Sequence, residues 1–104
     1  NGLINVRQCV TMDIVIDELI IEDDRSEHIA KHKVSVDEVL EVVFGDYATD
    51  QGKEGRVVLI GKTSNKRWIT VILGERTGQN RYGLVTARDS KKKEKLLYQK
   101  QSKG

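Results

Sequence analysis

Two arginines, Arg67 and Arg88, and two histidines, His28 and His32, are the side chains best suited by type and spacing to chemistry on a phosphate. Cutting an RNA strand without a metal takes three things: a 2′-hydroxyl activated for in-line attack, cations to hold the extra charge on the phosphoryl oxygens, and a donor for the departing 5′ oxygen. A guanidinium is a bidentate fork that lysine cannot match, so Arg67 and Arg88 fit the second task. The alternative for both is an exposed strand arginine, or one paired with acidic groups elsewhere in the chain. His28 and His32 lie four residues apart, on one face of a helix, where a neutral imidazole can serve as base or acid. His32 reads equally well as a residue that satisfies a helix end.

The remaining polar residues divide between functional and structural readings. Lys31 could reach a phosphate or stay solvated, and Tyr98 could pack its ring or stack it on a base. Arg81 and Arg56 read as solvated or partner-facing charges, and Arg81 joins Lys31 and Tyr98 as a candidate RNA contact. The H-x-x-x-H spacing lacks the glutamate of a zinc-protease motif, and the one cysteine is the distant Cys9. No metal site and no cofactor is therefore expected. Glu22-Asp23-Asp24 reads as a helix start rather than a magnesium cluster, and Trp68 and Tyr82 as sheet packing. A Gly-rich phosphate loop, a Ser-His-Asp set and a Cys-His pair are all missing from the sequence.

These residues have to be positioned by one small core. The chain has 104 residues, 38% of them hydrophobic and 33% charged, with no proline. That composition is too apolar for a disordered chain and too polar for a membrane span. No basic-then-apolar segment opens the chain, so a cytoplasmic protein without a membrane partner is expected. Residues 1–11 read as an N-terminal extension ahead of Met12, the only methionine, and residues 12–104 as a single domain. The net charge of +2 conceals two opposed halves. Asp13 to Glu54 carries 13 acidic and 4 basic residues, whereas Gly55 to Gly104 carries 3 acidic and 13 basic. One account is that the halves fold against each other; the other is a basic sheet face made for a phosphate backbone.

The periodicities give an order of elements. A β-branched run places a strand within 13–22, and the carboxylates that follow start a helix near Asp24. Ser35-Val36-Asp37-Glu38 is a capping box, with Val34 and Val39 as its hydrophobic staple, opening a helix over 36–44. Gly45 stands where a C-terminal cap calls for positive φ. Asp46 to Gly55 reads as a polar turn. Three β-rich runs follow, Arg56 to Lys62, Lys66 to Gly74 and Arg81 to Arg88, with links short enough for an antiparallel meander. Asp89 or Ser90 can cap a last helix carrying Leu96, Leu97 and Tyr98 among lysines.

The stretches HIAKHKVSVDEVLEVVF, GRVVLIGKTSNKRWITVIL and YGLVTARDSKKKEKLLYQK resemble the BrnT family of bacterial toxins over about Ile21 to Gln101. The most specific points are the Lys31-His32 pair ahead of the capping box, Ile60-Gly61 with Arg67 across the turn, and Thr86-Ala87-Arg88 leading into the basic helix that holds Leu97-Tyr98. The resemblance implies an α+β, RelE-like fold: a small antiparallel sheet with two N-terminal helices and one C-terminal helix. It also implies an endoribonuclease toxin of a type II toxin-antitoxin system, held inactive by an antitoxin of the BrnA ribbon-helix-helix type whose dimer would gather two copies of the chain. Three departures mark a divergent branch. Ile20-Ile21-Glu22-Asp23 replaces the family's acidic-Trp-Asp start of the first helix, Lys33 replaces a glycine, and His28 replaces an asparagine. On the same fold, a non-catalytic RNA- or protein-binding module is the rival reading.

Overall fold

A computed structural model describes residues 14–102, so the expected extension over residues 1–11, together with Met12 and Asp13, lies outside the described residues. The elements run β1 Glu18–Ile20, α1 Asp23–Ala30, α2 Val36–Val43, β2 Tyr47–Gln51, a 3₁₀ turn Lys53–Gly55, β3 Arg56–Lys62, β4 Trp68–Glu75, β5 Arg81–Asp89 and α3 Lys92–Ser102. The fold is α+β, with two helices ahead of the meander and one after it. One five-stranded sheet has the order β1-β5-β4-β3-β2. β2 to β5 form the antiparallel meander, and β1 adds to its edge in parallel, from Glu18↔Arg81 to Ile20↔Gly83.

The pleat gives the sheet two faces of different character. On one face Leu59, Ile69, Val71, Leu73, Leu84 and Ala87 pack against Ile29 of α1 and Val39, Val42 and Val43 of α2. Each fully buried aliphatic side chain there contributes about 1.5–3 kcal/mol. Gly61 is where α2 comes nearest: a Cβ there would stand 3.0 Å from Val42 Cγ1 and 3.1 Å from the Asp46 carbonyl oxygen. α3 crosses the opposite face, over β2 and β3.

α2 begins as the sequence requires. The Ser35 hydroxyl accepts the Glu38 N–H at 3.2 Å, and Glu38 Oε1 accepts the Ser35 N–H at 3.0 Å. Val34 and Val39 of the staple are both buried. Its end differs from expectation. Gly45 does not take positive φ; a Cβ there would lie 2.4 Å from the Glu41 carbonyl oxygen, so glycine is needed for close approach. Two further differences concern the strands. Residues 47–51 are a strand and not part of a turn, because pairing from Tyr47↔Gly61 to Gln51↔Val57 supplies their backbone partners. The first strand shortens to three residues, and its parallel pairing needs no local turn signal.

Ser35→Ala removes one half of the capping box and should lower stability by about 1 kcal/mol. The check is a urea unfolding curve: the midpoint should fall with its slope unchanged, and far-UV circular dichroism should keep its native shape.

Candidate active site

Arg88 is the last residue but one of β5 and its register partner on β4 is Thr70, so both side chains stand on the face that α3 crosses. The Arg88 guanidinium forks onto Glu94 of α3, Nη1 to Oε1 at 2.9 Å and Nη2 to Oε2 at 2.8 Å. Nη1 also donates to the Asp89 carbonyl at 3.2 Å. Glu94 Oε1 takes two more donors, the fully buried Thr70 hydroxyl at 2.9 Å and the Lys91 N–H at 2.7 Å. With its one proton given to Glu94, Thr70 must accept from Ser90 Oγ, 2.7 Å away. Burial alone pushes the Glu94 carboxyl up, but the hydrogen bonds from Arg88, Lys91 and Thr70 outweigh it and hold the group down at about 2. The hydrogen bond to Glu94 in turn raises Arg88 against its own burial.

α1 brings the histidines to the same strand. β1 covers β5 only as far as Gly83, and α1 lies along the edge beyond it, where Arg25 Nη1 donates to the Val85 carbonyl at 3.2 Å. From there His28 Nε2 sits 3.1 Å from the Thr86 hydroxyl. Thr86 faces the same side as Arg88, two residues on. The His32 ring stands edge-on to His28, with centroids 5.2 Å apart. His28 therefore meets β5 two residues before Arg88, and His32 touches His28.

Arg67 does not join them. It precedes Ile69 by two residues and falls on the α2 face, where Nε donates to Asp89 Oδ1 at 3.0 Å and Nη1 to Glu38 Oε1 and Oε2 at 3.0 and 3.1 Å. The Lys33 carbonyl also accepts from Nη1. Burial lowers the Arg67 guanidinium, and the bonds to Asp89 and Glu38 more than restore it. The two arginines thus share one end of the sheet on opposite faces, and do not converge on a single phosphate.

The three candidate RNA contacts lie apart from one another. Arg81 donates to Glu18 Oε1 at 2.9 Å and to the Thr77 carbonyl at 2.7 Å. It starts β5, and Arg88 lies seven residues further along, roughly 23 Å at the usual strand rise. Tyr98 packs edge-on against Trp68, with centroids 5.1 Å apart, and Lys62 Nζ sits 5.4 Å from the same tryptophan ring. Lys31 caps the C-terminal end of α1 and is exposed.

Four residues of this neighbourhood were not among the sequence candidates: Glu94, Thr70, Ser90 and Thr86. Neither Asp89 nor Ser90 caps α3 as expected, since their side chains go to Arg67 and Thr70. Glu94 was legible as the lone acid in Lys91–Lys95, at the offset from Lys91 that Glu38 has from Ser35. Among the described residues no group of three or more His, Cys, Asp or Glu is placed to hold a metal ion. No helix among them is long and apolar enough to cross a membrane.

No protein-family model matches the chain, and no curated protein matches it in sequence. Among solved structures, the ribonuclease toxin BrnT of Brucella abortus superposes with a TM-score of 0.58 at 18% identity, covering 72% of this chain and 97% of that one. The two chains share a fold.

Glu94 should leave a signature in acid. Its folded value of about 2 lies below the usual 4.5, so the unfolded chain binds the proton first and stability rises with pH across that interval. The contribution, at most about 3 kcal/mol, is complete above about pH 5 and is lost as pH falls toward 2. Denaturant titrations of Glu94→Gln beside the wild type should show a destabilisation at pH 7 that shrinks steadily below pH 5. A difference independent of pH would contradict the assigned network.

Proposed function

We propose that this chain is a metal-independent endoribonuclease toxin, a divergent relative of BrnT, whose cutting site lies on β5 around Arg88 and His28. The observation that carries the reading is the approach of an imidazole and a guanidinium to one stretch of strand, His28 at Thr86 and Arg88 two residues on. The fold shared with a ribonuclease toxin supports it.

In this reading His28 takes the proton of the attacking 2′-hydroxyl, or delivers one to the leaving 5′ oxygen, and the Thr86 hydroxyl fixes which ring nitrogen carries it. The 2′ oxygen bonds to phosphorus as the bond to the 5′ oxygen breaks, leaving a cyclic phosphate and a free 5′-hydroxyl. Arg88 holds the added charge on the phosphoryl oxygens, the task a metal would otherwise perform. His32 backs His28, while Lys31, Tyr98 and Arg81 contact RNA away from the scissile bond. Arg67, proposed from the sequence as a second phosphate ligand, acts on the reaction by bracing Asp89 and the start of α2 beside Arg88. The protein works in the bacterial cytoplasm. Its partner is a ribbon-helix-helix antitoxin of the BrnA type, whose dimer joins two copies of the chain.

A second reading has an observation of its own in favour: both guanidinium forks are already engaged by carboxylates, as in a binding module that has no use for them. Activity separates the two. Purified protein should cut single-stranded RNA in the presence of a chelator, and Arg88→Ala should slow cutting by on the order of 10² or more. Cleavage abolished by chelator and restored by magnesium would overturn metal independence. Full activity in folded Arg88→Ala would overturn the site.

Co-expression with the product of the adjacent reading frame tests the partner. The two should co-purify, and RNA cleavage should be suppressed in the complex. Failure to co-purify, with harmless expression of this chain alone, would move the weight to the binding module.

A further inference from the structure

The geometry points to a second role for Glu94: its carboxylate fills the oxyanion site built by the Arg88 guanidinium, the Thr70 hydroxyl and the Lys91 N–H, the site a substrate phosphate has to take, so the C-terminal helix plugs the cutting centre. This inference rests on the ribonuclease reading above.

Four donors converge on one carboxylate, at 2.9 and 2.8 Å from Arg88, 2.9 Å from Thr70 and 2.7 Å from Lys91. A guanidinium fork, a hydroxyl and a backbone N–H at the start of a helix are also what a phosphodiester would recruit. The exchange conserves charge, since one singly charged oxyanion replaces another. The transition state carries a second negative charge and would gain more from these donors than Glu94 does. Once a phosphate is seated, Lys91, Lys92 and Lys93, all exposed, favour RNA over the displaced acid.

The plug opens by rotation of the Glu94 side chain, with α3 and its Lys91 N–H left in place, because other contacts hold the helix over the buried Ala48 and Ile60 of β2 and β3. Besides Glu94, Tyr98 meets Trp68, and the Gln101 side chain exchanges hydrogen bonds with the Thr49 backbone at 3.1 and 2.9 Å. Leu96 remains 56% exposed. A brief departure of Glu94 therefore leaves the apolar core on the other face intact.

Glu94→Gln in the full chain tests this by fluorescence anisotropy with a single-stranded RNA oligonucleotide made uncleavable by 2′-deoxy substitution. It should bind about tenfold more tightly than the wild type, and the gain should vanish in Glu94→Gln/Arg88→Ala. Glu54→Gln, an exposed acid removed elsewhere, should change affinity by less than about twofold. Unchanged affinity in Glu94→Gln, or a gain that persists without Arg88, would overturn the plug. Glu94→Asp keeps the charge but falls a methylene short of the fork, and covers the case in which the glutamine variant does not fold. It should bind about threefold more tightly, and equal affinity would overturn the plug.

Cleavage assays separate the two readings. Tighter binding by Glu94→Gln without cleavage by any variant would leave the plug standing and remove the ribonuclease. Wild-type cleavage that slows in Glu94→Gln at unchanged affinity would do the reverse, making Glu94 a brace for Arg88.

Discussion

Two glutamates at the starts of two helices hold this fold together where the sheet ends. Glu38 accepts the Ser35 N–H and an arginine of the β3–β4 turn; Glu94 accepts the Lys91 N–H and the arginine near the end of β5. The first turn of a helix leaves backbone N–H groups unpaired at its positive end, so a carboxylate is favoured there before any arginine arrives. The arginine then ties that helix to a strand. Because Arg67 and Arg88 fall on opposite faces, a one-residue slip of the β4–β5 register would carry each away from its acid. The two clasps thus help fix the register that also seats Ile69, Val71 and Ala87 in the core.

Local signals made about half of this legible. The capping box, its staple and the alternation of β3, β4 and β5 depend on residues within a few positions of one another, and these appear where the sequence places them. β2 was not legible, because Tyr47-Ala48-Thr49-Asp50-Gln51 has a single buried side chain and owes its extended form to β3 on one edge and to Gln101 on the other. Parallel β1 is separated from β5 by 63 residues in Glu18↔Arg81, and nothing near either segment signals that pairing. Of the site, residue types were legible and partners were not. Arg67 reads as a phosphate ligand until Glu38, 29 positions away, is brought against it.

The opposed charges of the two halves are in part a folding device. Arg67–Glu38, Arg76–Glu22 and Arg81–Glu18 each join a basic residue of the second half to an acid of the first. Among the described residues every ion pair is made by an arginine, and Lys92, Lys93 and Lys100 of α3 are exposed. That division follows from the side chains. A planar guanidinium binds both oxygens of a half-buried carboxylate, while an ammonium keeps its hydration more cheaply at the surface. In the proposed function, the long-range field that would draw RNA therefore comes from α3, and the short-range contacts would come from the sheet beneath it.

The two clasps differ in what backs them. Behind Glu38, α2 buries Val39, Val42 and Val43 against the sheet, so breaking the Arg67 pair would not free the helix without also exposing several kcal/mol of apolar surface, about 1.5–3 kcal/mol for each side chain. Behind Glu94, α3 has an aromatic edge contact, an amide on a strand edge and the buried Ala48 and Ile60 beneath it, and none of its own described side chains is fully buried. In the proposed reaction, turning Glu94 away breaks the Arg88 ion pair without moving α3, and an arriving phosphate would take its place on the same donors. Of the two arginines at this end of the sheet, Arg88 is therefore the one whose fork would be exchanged in the proposed reaction, and Arg67 the one backed by a helix that buries Val39, Val42 and Val43.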